Sequence, residues 1–297
     1  MDTHTNNNAG GILSSNQIIL VAETGADIPP SLAEKYGIHI TPMHVTFDTV
    51  TKADGSFDPD EIIRYFEETG KVPMTSGCSQ HDFEVVFDRI HEQYPKARIL
   101  YMAYSAVTTC SFASAKLAAE GRDYIAAVDT KQVTIGQGAC VIRTARAIRN
   151  HPEWTLAEAA SYAETVSSSM RMCFLPNKLD FLRAGGRVKT ATALCGNLLH
   201  IHPCIDVTDG FLLAGKKYRG SLQKVIPQLI RDHVERFHLD RKEIWFAFSP
   251  RLSEDLKQLA LKIAGSLGFE QAHMVPTGGV ISSHGGPNAI AIGGFTD

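Results

Sequence analysis

Four stretches of this sequence gather groups able to hold an anion. Thr75-Ser76-Gly77-Cys78-Ser79 stands just ahead of an apolar segment with helical spacing. Hydroxyls in that position cap a helix by accepting its free N–H groups. The same hydroxyls and N–H groups also converge on an anion, and spacing alone leaves both roles open. Ser105-Ala106-Val107-Thr108-Thr109-Cys110-Ser111 places four hydroxyls in seven residues, after one apolar run and before another. Capping again competes with anion binding. His284 sits in Ser282-Ser283-His284-Gly285-Gly286-Pro287-Asn288, where glycines permit close approach of backbone to ligand. A lone histidine is more often structural or merely exposed. Gly185-Gly186-Arg187-Val188-Lys189, with Arg183 nearby, is a basic loop. It can hold a phosphate or an acidic partner, although a solvated surface loop is the plainer role.

Other motifs fail. Gly136-Gln137-Gly138 lacks the third glycine of a dinucleotide fingerprint. The chain has no P-loop and no nucleophile elbow. His200, His202 and Cys204 share one face of a strand and offer metal ligands, but packing or surface roles serve them equally. No carboxylate spacing marks an acid/base pair. The expectation is therefore no metal, no cofactor and no catalytic residue.

The elements that must position these residues follow from the apolar pattern. The chain has 297 residues, 44 % hydrophobic and 21 % charged, with a formal net charge of -3. That balance is globular and gives no basic field for nucleic acid. No apolar run approaches the ~20 residues that span a bilayer. Residues 1–16 are polar and lack the features of a signal peptide, so a disordered leader is expected. The six cysteines are irregularly spaced without a C-x-x-C pair, which points to reduced thiols and a cytoplasmic protein.

Ile18–Ala22 is a continuous apolar run, as in a strand buried on both faces. A short helix runs from Pro29-Pro30 to Gly37, then Ile38–Phe47 alternates like one strand. Helices are expected over about 58–69, 80–94, 111–121, 135–150 and 155–169, with strands at 98–103 and 124–129. Alternating βα order predicts a mainly parallel sheet with helices on both faces. Ligands sit beyond the carboxyl ends of such strands, which points to Glu23–Asp27, Thr75–Ser79 and Ser105–Ser111. A second cycle begins near Met170. It has a strand at 171–175, helical stretches to His200, and a hairpin of 201–207 with 211–215 across Asp209-Gly210. Then come a helix over 222–237, a strand at 244–248, a helix over 253–267 and a strand at 271–275. Two short apolar runs end the sequence. The expected fold is α/β in two domains, residues 17–168 with the parallel sheet and a smaller 169–297. The last segment is free to pack on the first.

Taken in order, these segments resemble the DegV family, bacterial fatty-acid-binding proteins that include the FakB subunits of fatty acid kinase. The resemblance runs through Glu23-Thr24-Gly25-Ala26-Asp27, Lys71 to Ser76, Ser105 to Phe112, Val128-Asp129-Thr130-Lys131, Leu182 to Val188, Leu198 to Pro203 and Ser283 to Pro287. It implies a ligand between two α/β domains and carriage rather than turnover. The acyl tail of a long-chain fatty acid would lie in an apolar tunnel. The carboxylate would meet Thr75, Thr109 and His284, with Thr24, Ser76, Ser111 and Gly285 at the pocket mouth. A separate fatty acid kinase catalytic subunit would phosphorylate the carboxylate, faced by Arg187 and Arg219, with transient membrane-surface contact. The sequence departs from the family pattern at Glu23, Thr24, Gly25, Gly77, Cys78, Ala106, Val107, Thr109, Cys110 and His202. Those departures keep other roles open: a carrier of another amphiphilic anion, an interaction protein with a lost pocket, or an acyl-transfer or hydrolase enzyme in which a hydroxyl near His284 is the nucleophile.

Overall fold

The computed structural model describes residues 17–187 and 201–297. The leader over 1–16, Val188 and Lys189 of the basic loop, the part of the expected helical stretches over 188–199, and His200 itself lie outside the described residues. Four strands form a parallel sheet in the order β2 (His39–Thr41), β1 (Ile18–Glu23), β6 (Arg98–Ala103) and β7 (Ile125–Asp129). Both faces are covered, as the unbroken apolar run of β1 requires. Ile19 and Val21 pack with Phe83 and Phe87 of α3 (Gln80–Gln93) and Ala115 of α4 (Ser111–Ala118). Leu20 and Ala22 pack with Ile135 and Ala139 of α5 (Thr134–Asn150) and Ala163 of α6 (Leu156–Ser169).

The stretch 38–47 does not make one strand. Pro42 has no N–H to give a ladder, and the chain divides there. β2 joins the parallel sheet, whereas β3 (His44–Phe47) joins an antiparallel sheet of three with β4 (Val50–Ala53) and β5 (Met74–Ser76). Thr75 and Ser76 therefore lie on a strand of this small sheet, not beyond a parallel strand. Between these pieces run α1 (Pro30–Tyr36), closed by left-handed Gly37, and α2 (Asp60–Thr69).

The C-terminal half builds a six-stranded sheet in the order β10 (Phe211–Arg219), β9 (Ile201–Thr208), β8 (Met170–Leu175), β13 (Ile290–Thr296), β11 (Leu239–Phe248) and β12 (Gln271–Pro276). Asp209 (φ 47°) and Gly210 (φ 83°) make the hairpin turn between β9 and β10, the double positive φ of a type I′ turn. Side chains alternate across this sheet. Trp245, Ala247 and Ala291 join the core of α5 and α6, so one apolar mass runs between the two large sheets. Ile244, Phe246 and Ile292 face α8 (Leu222–Phe237) and α9 (Glu254–Ser266). The last apolar stretch begins as a helix, α10 (Gly279–Gly285), before β13. Helix α10 lies against α2, the small sheet and α7 (Leu179–Gly185). Among the described residues, no helix is long and apolar enough to cross a membrane.

Candidate functional site

Where β5, the loop after β6, α10 and the six-stranded sheet meet, a cleft encloses roughly 820 Å³ of space, its open mouth included. Its far wall is Phe174, Leu212, Ala247, Ile290 and Ala291. Its polar end holds Thr75, Ser76, Thr108, Thr109 and His284, with Arg187 beside them. An apolar cleft with a few convergent polar groups is the usual form of a small-molecule site.

The polar end is assembled from three elements. Thr75 Oγ1 on β5 lies 2.9 Å from His284 Nε2 on α10. Thr109 Oγ1 lies 3.1 Å from Ser111 Oγ, and Ser111 Oγ accepts the Cys78 N–H at 3.0 Å. The two hydroxyl stretches thus interlock although they start from different sheets. Gly77 makes the approach feasible, because a Cβ there would stand 2.3 Å from Thr109 Oγ1. Capping accounts for part of the first stretch: Ser79 and Asp82 form a capping box at the start of α3. It does not account for Thr75. In the second stretch, Ser105 Oγ donates to the Gly210 carbonyl at 2.8 Å and so ties the hairpin tip to the parallel sheet.

Helix α10 is held at its first turn by two buried carboxylates. Asp27 accepts the Gly278 N–H at 2.7 Å, and Asp54 accepts the Gly279 N–H at 2.7 Å. Negative charge is favourable there, yet burial raises both carboxyls, Asp27 to about 8. Thr134 Oγ1 donates to Asp27 at 2.5 Å. Beneath the cleft, Glu23 accepts from the Tyr101 hydroxyl, from Gln137 Nε2 at 2.6 Å and from the Tyr104 N–H. Burial raises its carboxyl as well. Glu23 fixes the loop that begins at Tyr104, a residue of the cleft lining.

His284 is half-buried, and it lines the cleft. Burial, and secondarily the Arg187 guanidinium, lower its imidazole to about 4. It is therefore neutral near pH 7. On the ring's other edge the helix α7 backbone is close: a Cβ on Gly185 would sit 2.1 Å from His284 Nδ1. With Nε2 protonated, His284 donates to Thr75 Oγ1, and the Thr75 hydroxyl is left to donate into the cleft.

The expected site residues divide clearly. Thr75, Ser76, Thr109, His284, Gly285 and Arg187 all line the cleft. Thr24 and Ser111 do not. Thr24 Oγ1 is taken up by the Met43 N–H at 3.0 Å, and fully buried Ser111 stands behind Thr109 as its support. Arg187 donates to the Gly185 carbonyl at 2.6 Å at the cleft's edge. Arg219 is exposed at the end of β10, away from the cleft lining. His202 is spent on the Gly220 carbonyl at 3.0 Å. Tyr104, Ser249 and Thr277 as cleft residues, and the Asp27–Asp54 clamp, have no signature in residue type or spacing. The one available signal was Asp27 in the loop after the first apolar run.

A profile of the family described as "Uncharacterised protein, DegV family" matches residues 17–297. The solved structure of a fatty-acid-binding DegV family protein from Thermus thermophilus is 27 % identical. The similarity covers 95 % of this chain and 100 % of that one, with a TM-score of 0.84. A fatty acid-binding protein of Thermotoga maritima is 26 % identical over 285 residues, covering 93 % of this chain and 97 % of its own. A DegV domain-containing protein of Deinococcus radiodurans is 28 % identical over 280 residues, with 93 % and 97 % covered.

Proposed function

The chain belongs to the DegV family, and from that premise and the shape of its cleft we propose that it binds a long-chain fatty acid and presents it to a partner kinase. The observation that carries this reading is the Thr75–His284 pair, 2.9 Å apart at the polar end of an otherwise apolar cleft. Leaving water is costly for a carboxylate unless it is hydrogen-bonded. Here Thr75 and Thr109 offer hydroxyls, and His284 holds Thr75 in the donating orientation. The tail then contributes about 0.8 kcal/mol per buried CH₂ along Phe174, Leu212 and Ala291. Affinity comes mainly from the tail and orientation from the head. The relatives described as fatty-acid-binding support the same ligand class. Native mass spectrometry of the delipidated chain with palmitate or oleate tests the reading. One acyl mass should be added per chain, and a clean apo mass at saturating ligand would end it.

In this reading the ligand lies between residues 17–168 and 169–297, in a cytoplasmic protein. Arg187, at the cleft's edge, and Arg219 face the kinase and the phosphoryl group transferred to the carboxylate. Arg187→Ala should keep palmitate affinity within about threefold, the small effect of an exposed charge, while acyl phosphate formation with a bacterial fatty acid kinase falls by at least tenfold. Equal losses in binding and phosphorylation would show that Arg187 serves the ligand alone.

The Thr75–His284 distance also suits a nucleophile and base in an acyl-transfer enzyme. A base works best with a pKa near the working pH, and His284 is lowered to about 4. Among the described residues, no carboxylate hydrogen-bonds its Nδ1 to orient it. The carrier reading is therefore preferred. Ester hydrolysis that disappears in His284→Ala would reverse that preference.

A further inference from the structure

On the side of the six-stranded sheet facing α8, four metal-ligating side chains come together. Cys173 of β8 and Cys204 and Asp206 of β9 present donor atoms within 4.8 Å of one another. His233 of α8 completes the group, its Nδ1 3.4 Å from Cys173 Sγ. Its Nε2 lies 3.1 Å from the Arg171 carbonyl. A carbonyl only accepts, so Nε2 carries the proton and Nδ1 turns a lone pair toward Cys173 Sγ. The four residues are 1 %, 3 %, 9 % and 4 % exposed in the order Cys173, Cys204, Asp206, His233.

Buried cysteines often act as small apolar residues, and both belong to the core under α8. That role leaves unused the donor set gathered here, in which an imidazole lone pair faces Cys173 Sγ and Asp206 Oδ1 lies 3.9 Å from Cys204 Sγ. A disulfide does not explain it either. The strand register pairs Cys173 with Asp206, so Cys204 is diagonal to it. Diagonal neighbours stand about 7–8 Å apart, beyond the reach of most disulfides.

We propose that Cys173, Cys204, Asp206 and His233 form a binding site for a divalent transition-metal cation, with Zn²⁺ the best match. Two thiolates, an imidazole and a carboxylate make a closed tetrahedral zinc set, and soft sulfur donors discriminate against Mg²⁺ and Ca²⁺. Each thiol releases its proton to solvent as the cation binds. The Arg171 carbonyl on His233 Nε2 is the outer partner that fixes a metal-binding imidazole. Arg236 donates to Asp206 Oδ2 at 2.8 Å from a side chain that is 57 % exposed. It steadies the carboxylate from outside. The bound ion ties β8, β9 and α8 together directly behind Phe174, the next residue on β8, which lines the cleft.

The test uses the full chain, stripped with a chelator, incubated with ZnCl₂ or CoCl₂ and desalted. Elemental analysis should find about one zinc per chain, the stoichiometry of a closed site. The cobalt form should show thiolate-to-metal charge transfer, and zinc should raise the unfolding temperature. Cys204→Ser and His233→Gln should each lose retained zinc, while Cys110→Ser, which removes an exposed thiol outside the group, should keep it. Absence of thiolate charge transfer in the wild-type cobalt protein would overturn the proposal without recourse to any variant. So would a full equivalent of zinc retained by both Cys204→Ser and His233→Gln.

Discussion

Thr75→Val isolates the head-group contact. The substitution exchanges a hydroxyl for a methyl of similar volume on β5, where residue 75 pairs across the strand with Val45 and a β-branched side chain fits. It removes one donor from the carboxylate and leaves His284 Nε2 without the partner it holds at 2.9 Å. A hydrogen bond to a charged group is worth roughly 1.5–3 kcal/mol. Fatty acid affinity should therefore fall by about 10- to 150-fold. The fatty alcohol of the same length supplies the reference, because its tail contributes the same ~0.8 kcal/mol per CH₂ and its head carries no charge. Displacement of a fluorescent apolar probe by myristate and by myristyl alcohol gives both affinities. The acid-to-alcohol preference should fall in Thr75→Val, read on protein that is still folded at the assay temperature. Equal weakening of acid and alcohol, or an unaltered preference, would refute the placement of the carboxylate at Thr75.

Gly185→Ala should act on the same site from behind. Its Cβ would stand 2.1 Å from His284 Nδ1, so the ring must move and acid binding should weaken by roughly the loss of one charged hydrogen bond, about tenfold or more; unchanged affinity would show that the ring is free to shift. Ala247→Leu pushes a larger side chain into the tail wall, so palmitate should lose about two methylenes of burial, some tenfold, while dodecanoate loses less; a uniform loss across chain lengths would place the tail elsewhere. Asp27 has a folded pKa of about 8 against an ordinary 3.8, so the folded state holds an extra proton between those values. Its stabilising contribution is full below about pH 4 and declines as pH rises to 8, by at most ~1.4 kcal/mol per pH unit. Urea unfolding of wild type and Asp27→Asn should therefore converge or cross as pH rises from 4 to 8 and run parallel above it. Parallel curves throughout would show that the carboxyl titrates normally.

Much of the scaffold was legible because its signals are local. Continuous apolar runs marked β1 and β6, Pro30 and Gly37 bracketed α1, and Asp209-Gly210 announced the hairpin. The division at Pro42 was not legible in the alternating pattern, since both halves are strands and only the partner sheet differs. Strands β4 and β5 are too short to show a period, and α10 reads as an apolar run because most of its face is buried. The site followed the same rule. Thr75, Thr109 and His284 were singled out by residue type and by resemblance, but that they line one cleft depends on contacts such as Asp27 with Gly278, 251 residues apart in sequence. The apolar wall escaped because Phe174, Leu212, Ala247 and Ala291 each look like ordinary strand residues. Thr24 and Ser111 misled because a hydroxyl beside a site and a hydroxyl bracing one have the same sequence signature.

A crystal structure grown with palmitate tests the central claim most directly. One acyl chain per protein is expected, its carboxylate within hydrogen-bonding reach of Thr75 and Thr109 and its tail along Phe174, Leu212 and Ala291. A chain in the reverse direction, or a cleft that stays free of lipid at saturating palmitate, would contradict it.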